Sequence, residues 1–238
     1  MKNIYTICLA TKEEEIQETK KIISKMYEWR EYEVSYSTPI SLNDSHQRII
    51  ILKKNDVIVG TATIRVDSEN GLLIDESYLE AANKFRSEGK RICEITKLAI
   101  DFETQSKNAT MALYKMVCFY ALSMGVTDYL IEINPRHSVF YRRLFGFKKI
   151  LQSICDRIGG WPVELLHLEM KNVPFWKMTH SPAEIINGEM FIYQSNEPSL
   201  NAIIDKFNTS LNCNVTKNFV EDVTNVNNLH REDIGITD

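Results

Sequence analysis

Two hydrophobic periods alternate along this chain. Ile4 to Leu9 is an apolar run of strand length, and from about Lys12 to Trp29 the residues Ile16, Ile23 and Tyr27 recur at the spacing of a helix face. After a polar loop from Thr38 to Ser45, RIIILKKNDVIVGTATIRVD reads as a hairpin, two apolar runs joined by Lys53-Lys54-Asn55-Asp56. DESYLEAANKFRSEG predicts a helix ending at Gly89, a residue suited to the left-handed position just past a helix. RICEITKLAI predicts the next strand, with strict alternation placing Ile92, Glu94, Thr96, Leu98 and Ile100 on one face. Lys107 to Met124 predicts a helix stopped by Gly125 and apolar on most sides, so it should lie on a sheet under further cover. DYLIEIN predicts a strand stopped by Pro135, His137 to Leu144 a short helix, and FGFKKIL and VELLHLEM two more strands.

Strands alternating with helices, with hairpins at both ends, predict an α/β fold: a mixed, mostly antiparallel sheet flanked by helices. No internal repeat interrupts it. Near Pro174 the composition shifts towards Asn and Thr, which predicts a first domain over residues 1–173 and an Asn-rich appendage over 174–238. The appendage holds one amphipathic helix, EPSLNAIIDKFNTSL, with Leu200, Ile203, Ile204, Phe207 and Leu211 on one stripe. An isolated helix of that length is marginal in water, so the stripe should be buried.

Composition narrows the function classes. With 238 residues, 44% hydrophobic and 25% charged, the chain is long enough for a sizeable core. A net charge of −4 and a pI near 5.8 speak against nucleic acid as a partner. Cys8, Cys93, Cys118, Cys155 and Cys213 are odd in number, widely spaced and form no CxxC pair. With no signal peptide in view, they read as reduced thiols in a cytoplasmic protein. No apolar run is long enough to span a bilayer. His46, His137, His167, His180 and His230 lack metal-ligand spacing, so no metal site is expected. No phosphate-binding glycine loop or Ser-His-Asp order is present.

Several residues could carry chemistry. Glu94 interrupts an apolar strand face; burial would raise its pKa towards the range of a general base, and the alternative is a rim glutamate paired with a cation. Arg65 shares a face with Thr61 and Thr63 and could clamp a carboxylate, or be a solvated edge arginine. His137 and Tyr141 share a face of the short helix. Tyr141 could donate a proton to a leaving group or be a core aromatic, and His137 with Pro135 and Arg136 could cap the helix start.

The order of these pieces resembles the GCN5-related N-acetyltransferase fold, with NPRHSVFYRRLFGF, Asn134 to Phe147, at the position of that fold's helix after the fifth strand. More closely, the chain resembles the N-acyl amino acid synthases, relatives of the acyl-homoserine lactone synthases. LLIDESYLEAANKFRSEGKRICEITKLAID, NPRHSVFYRRLFGF and NDSHQRIIILKKNDVIVGTATIRV are each similar to segments of that family, and together they cover roughly Leu42 to Met170. Two departures stand out. Lys97 replaces the family's usual arginine, and it falls on the face opposite Glu94 unless the strand is bulged. QSKNAT, Gln105 to Thr110, lacks the glycines with which acetyl-CoA enzymes wrap a pyrophosphate.

The resemblance implies an N-acyltransferase that moves a long acyl group from an acyl carrier protein thioester to the amine of an amino acid or similar small amine. Glu94 would take the amine's proton, Tyr141 would protonate the leaving thiolate, and Arg65, Thr96, Lys97 and Asp44 would hold the acceptor. The pantetheine arm would meet Leu98, Ile100, Gln105, Lys107 and Asn108 on one side and Asn134, Arg136, His137, Arg142 and Arg143 on the other. No bound cofactor is implied; the co-substrate would be acyl-phosphopantetheine on the carrier protein, or acyl-CoA, and a lipid product leaves room for contact with a membrane surface. The rivals are an acetyl-CoA-dependent N-acetyltransferase, homoserine lactone synthesis on the same fold, and a non-catalytic module that binds acyl carriers or a partner.

Overall fold

The computed structural model describes residues 3–30, 42–104, 107–173, 183–186 and 189–211. Its elements in chain order are β1 (Ile4–Leu9), α1 (Glu13–Glu28), β2 (Gln47–Lys54), β3 (Val57–Val66), α2 (Asp75–Ser87), β4 (Ile92–Ile100) and α3 (Lys107–Ser123). Then come β5 (Asp128–Ile133), α4 (Pro135–Phe145), β6 (Lys148–Cys155), β7 (Trp161–Glu169), β8 (Ala183–Ile186), β9 (Glu189–Tyr193) and α5 (Pro198–Leu211). The strands form one nine-stranded sheet in the order β6-β7-β5-β4-β3-β2-β1-β9-β8. Only β4–β5 and β1–β9 are parallel; the other neighbours are antiparallel, so the sheet is mixed and mostly antiparallel as the sequence predicts.

Local chemistry explains most boundaries. The β2–β3 turn places Asn55 and Asp56 at φ +49° and +67°, the paired left-handed positions of a tight hairpin, where Asn and Asp are tolerated best. The start of α4 is set by Asn134, whose side chain accepts the Arg136 N–H, with Pro135 in the first turn where its missing N–H costs nothing. Its end is set by Gly146 at φ +85°. That turn corrects one boundary: the strand expected from Phe145 begins only at Lys148, because Phe145 is the last residue of α4.

Three apolar clusters hold the layers together. α3 lies on one face, where nearly every side chain from Ala109 to Leu122 is buried between the sheet and α5. On the opposite face, α1 packs Ile16, Ile22, Ile23 and Met26 on Ile49, Ile51 and Ala99, and α2 packs Tyr78 and Ala82 on Ile92, Leu130 and Leu165.

The chain beyond residue 173 returns to this same sheet. β9 pairs with β1, Phe191 stacks on Tyr5 with ring centroids 4.8 Å apart, and Leu200, Ile203 and Ile204 join the α3 cluster. Each such burial contributes about 1.5–3 kcal/mol. β8 and β9 were not expected from the sequence. The side chains of Phe207 and Leu211, Cys213, His180, His230 and residues 38–41 of the expected loop lie outside the described residues.

β4 departs from strict alternation. Its register on β3 shifts between Thr61↔Ala99 and Thr63↔Thr96, and Lys97 adopts φ +52°, a left-handed conformation rare for a residue other than glycine. The extra residue inverts the faces beyond it. Ile92 packs under α2, whereas Leu98 and Ile100, expected on the same face, pack on the α3 side with Cys93.

Candidate active site

A slot opens at the bulge. β4 and β5 pair only from Ile92–Glu94 to Asp128–Leu130; beyond that point Ile95–Ile100 and Ile131–Ile133 run on without a shared ladder. The bulge that ends the pairing also turns Lys97 towards the face that carries Glu94, where it feels the charges of Glu94, Arg65 and Arg157. This settles the alternative left by the sequence in favour of the bulged strand.

On the face shared by α1 and α2, cross-strand register lines up Gln47, Arg65 and Glu94 in one row. Glu94 is 1% exposed, and its two carboxylate oxygens accept the backbone N–H groups of Leu73 (2.8 Å) and Ile74 (3.1 Å) from the turn that starts α2. Burial pushes its pKa up to about 7, against the pull of those two N–H groups and of Arg65 and Arg157. It is therefore a buried carboxyl group held by backbone N–H groups, not a solvated rim glutamate. Lys97 mirrors it: burial lowers its pKa to about 8, with Glu94 opposing and Arg65 and Arg157 assisting. Arg65 donates to Asp44 Oδ2 at 2.8 Å, and Asp44 Oδ1 accepts the His46 N–H at 2.9 Å. Thr96 stands across from Thr63 in the next row.

The other wall of the slot is α4. Tyr141 packs on Phe145 and Phe147, with centroids 5.9 and 6.0 Å away, and burial raises its hydroxyl pKa to about 12. It packs on the α3 side of the sheet, yet it lies within electrostatic reach of Tyr27 and Arg30 at the end of α1, across the sheet. His137 is likewise half-buried beside Arg30, its pKa lowered by burial first and then by Arg30 and Arg136. The slot is thus where the two faces meet. Asn134 is committed to capping α4, and Arg136, Arg142 and Arg143 are exposed along it. Lys107 and Asn108 form the exposed and half-exposed start of α3; Leu98 is half-buried, Ile100 is part of the core, and Gln105 lies outside the described residues.

Two groups were not singled out from sequence. Arg157, in the turn after β6, donates to Glu76 (2.8 Å), to Glu132 and to the Leu73 carbonyl (3.4 Å), and so braces the turn that holds Glu94. Gln47 completes the polar row beside Arg65. Among the described residues no group of three or more His, Cys, Asp or Glu side chains could hold a metal ion, and no helix is long and apolar enough to cross a membrane.

Comparison with known proteins adds the following. The sequence model of the family described as N-acyl amino acid synthase FeeM matches residues 18–169. The solved structure of FeeM, an N-acyl amino acid synthase from uncultured soil microbes, aligns with a TM-score of 0.66 at 26% identity, over 71% of this chain and 92% of that one. A putative N-acetyltransferase from Lactobacillus plantarum (TM-score 0.52, 10% identity, 71% and 99% of the two chains) has a similar fold. So has a probable acetyltransferase from Staphylococcus epidermidis (TM-score 0.52, 18% identity, 69% and 98%). No curated protein sequence is a significant match.

Proposed function

Because the chain belongs to the N-acyl amino acid synthase family of FeeM, and is an acyltransferase of the GCN5-related N-acetyltransferase fold, we propose that it moves a long-chain acyl group from an acyl carrier protein thioester to the amine of an amino acid or a similar small amine. The observation that carries this reading is Glu94, a buried carboxyl group near pKa 7 at the point where β4 and β5 separate.

The proton balance assigns the roles. An ammonium acceptor loses one proton before it attacks and a second as the C–N bond forms; the C–S bond breaks, the thiolate takes one proton and the other goes to solvent. Glu94, directly or through water, accepts a proton from the amine. Backbone N–H groups of β4, left without a β5 partner beyond Glu94, stabilise the oxyanion of the tetrahedral intermediate. Tyr141, held near 12, is a weaker acid than an ordinary thiol at about 8.5, so it donates a hydrogen bond to the leaving sulphur and keeps its own proton. Arg65 and Lys97 hold the acceptor's carboxylate, and Asp44 fixes the guanidinium that does so.

The sequence at the start of α3 supports this choice of donor. QSKNAT offers no glycine cradle for a pyrophosphate, which favours a carrier protein, whose arm has one phosphate and no nucleotide, over coenzyme A. The exposed Arg136, Arg142 and Arg143 suit that phosphate or an acidic carrier surface. Mass spectrometry of lipids extracted after expression in a heterologous bacterium tests the whole reading; new N-acyl amino acids are expected, and short N-acetylated products alone would replace it with the acetyltransferase rival. Competition between dodecanoyl carrier protein and acetyl-CoA at equal concentration then reads donor choice directly.

A further inference from the structure

The β4–β5 ladder stops at Glu94 and Leu130, and on the α2 face a side chain spans the open end. Arg157 donates to Glu132, which stands on β5 two residues past Leu130. The same guanidinium donates to Glu76 (2.8 Å) and to the Leu73 carbonyl (3.4 Å) at the start of α2. Leu73 and Ile74 in turn give their N–H groups to the Glu94 carboxylate. The contacts close a circuit: from Glu94 to the Leu73–Ile74 turn, from the turn to Arg157, from Arg157 to Glu132, and back along β5 to the last paired row.

The tie is made under cover. The side chain of Arg157 is 15% exposed and that of Glu132 8%. A guanidinium is a rigid fork that can reach several acceptors at once, which a lysine ammonium on a flexible stem does not reproduce. The outer side of the turn has its own support, since Asp75 Oδ2 accepts the Leu72 N–H and an Arg86 N–H, each at 2.8 Å, and Arg86 also holds Asp67. Arg157 is therefore not the only anchor of the start of α2; it serves the side of the turn that faces Glu94.

We propose that Arg157 is a positioning residue for Glu94: it ties the Leu73–Ile74 turn to Glu132 across the open end of the β4–β5 pair and so holds the carboxyl group in place for the acceptor amine. Only the last clause rests on the acyltransferase reading above. The charges around Glu94 are Arg65 on β3 with its partner Asp44, Lys97 on β4, and Arg157 with its partners Glu132 and Glu76. Burial pushes the Glu94 pKa up, and Arg157 is one of the cations that pull it back.

Two variants of the full chain test this. The titration of Glu94 is followed by carbon-13 carboxyl resonances, assigned by their loss in Glu94→Gln, and needs neither donor nor acceptor. A carboxylate that loses a nearby cation holds its proton more tightly, so Arg157→Gln should move the midpoint up by about one pH unit. With dodecanoyl carrier protein and the amino acid that the intact protein acylates fastest, kcat should fall about tenfold with the donor KM little changed. Arg157→Lys, which keeps the charge but loses the fork, should leave the midpoint near that of the wild type and still lower kcat several-fold. A wild-type midpoint in Arg157→Gln overturns the proposal, because a residue that serves only the fold changes stability and not the acidity of Glu94. Should Arg157→Gln fail to fold, Arg157→Lys decides, and a kcat equal to the wild type overturns the proposal. If the intact protein acylates no amino acid, the acyltransferase reading falls, while the titration still tests the tie between Arg157 and Glu94.

Discussion

The row Gln47-Arg65-Glu94 and the helix α4 are made in opposite ways. Every feature that shapes α4 is local: Asn134 caps it, Pro135 starts it and Gly146 ends it, all within thirteen consecutive residues of sequence. The row is assembled from three strands and exists only because their register is right. α4 presents its arginines to solvent, where they serve as exposed charge; the row sits under cover, where a carboxyl group is moved to about 7 and a lysine to about 8. Local motifs give placement cheaply, whereas long-range register gives the dry surroundings that shift acidity.

The bluntest way to break this contrast is to remove what both regions share. Truncation after Val173 strips β8, β9 and α5 from the core on which α3 rests, losing the burial of Phe191, Leu200, Ile203 and Ile204. At about 1.5–3 kcal/mol each, that loss is comparable with the whole stability of an ordinary domain, so the truncated protein should be insoluble or melt far below the intact one by circular dichroism. A soluble, fully active truncation would show that row and helix stand without that support.

Next in size is Glu94→Gln. Losing a general base should lower kcat/KM by about two to four orders of magnitude in a steady-state assay. Turnover equal to the wild type would reduce Glu94 to a latch on the Leu73–Ile74 turn, and the contrast in chemistry would collapse into one of architecture. Tyr141→Phe sharpens the other side: the ring packing survives, only the hydroxyl is lost, and turnover should fall about tenfold with the acceptor KM little changed. A rate equal to the wild type would leave α4 as scaffold alone.

The smallest effect is also the most diagnostic of burial. Activity should rise as Glu94 loses its proton through about pH 7, and fall as Lys97 loses its charge through about pH 8, giving a narrow bell in kcat/KM. A rising limb near the ordinary glutamate value, about 4.3, would mean that the carboxylate is solvated in solution. Stability follows the same group with a definite sign. Because the folded protein holds the Glu94 proton more tightly than the unfolded chain, the contribution of Glu94 is full below its unfolded pKa and is lost as pH rises through about 7. The melting temperature measured across that window should lose this slope in Glu94→Gln.

How much of this was legible in the sequence follows the same division. The hairpin, α2 with its terminal Gly89, the buried α3 and the slot-side helix were all readable, because their signals lie within a few residues of what they determine. β8 and β9 were missed: their four and five residues are short for strands and sit in a stretch whose composition had already shifted. Alternation failed in β4 because one left-handed residue, Lys97, inverts every face beyond it, and nothing in ICEITKLAI marks which residue will bulge. Glu94, Arg65 and Tyr141 could be named because each is out of place in its own segment. Gln47 and Arg157 could not. Gln47 matters through its strand neighbours, and Arg157 reaches Leu73 across 84 positions of sequence.

The pairing of β1 with β9 has a consequence in time. Phe191, the partner of Tyr5, is synthesised 186 residues after it (191 − 5). At about 5–20 residues per second, the outer edge of β1 waits roughly 10–40 s for its neighbour. Through that interval the nascent chain exposes an unpaired strand edge, the kind of surface that recruits other chains. Cover by a chaperone, or a low local concentration of nascent chains, would therefore protect β1 until β9 has been made.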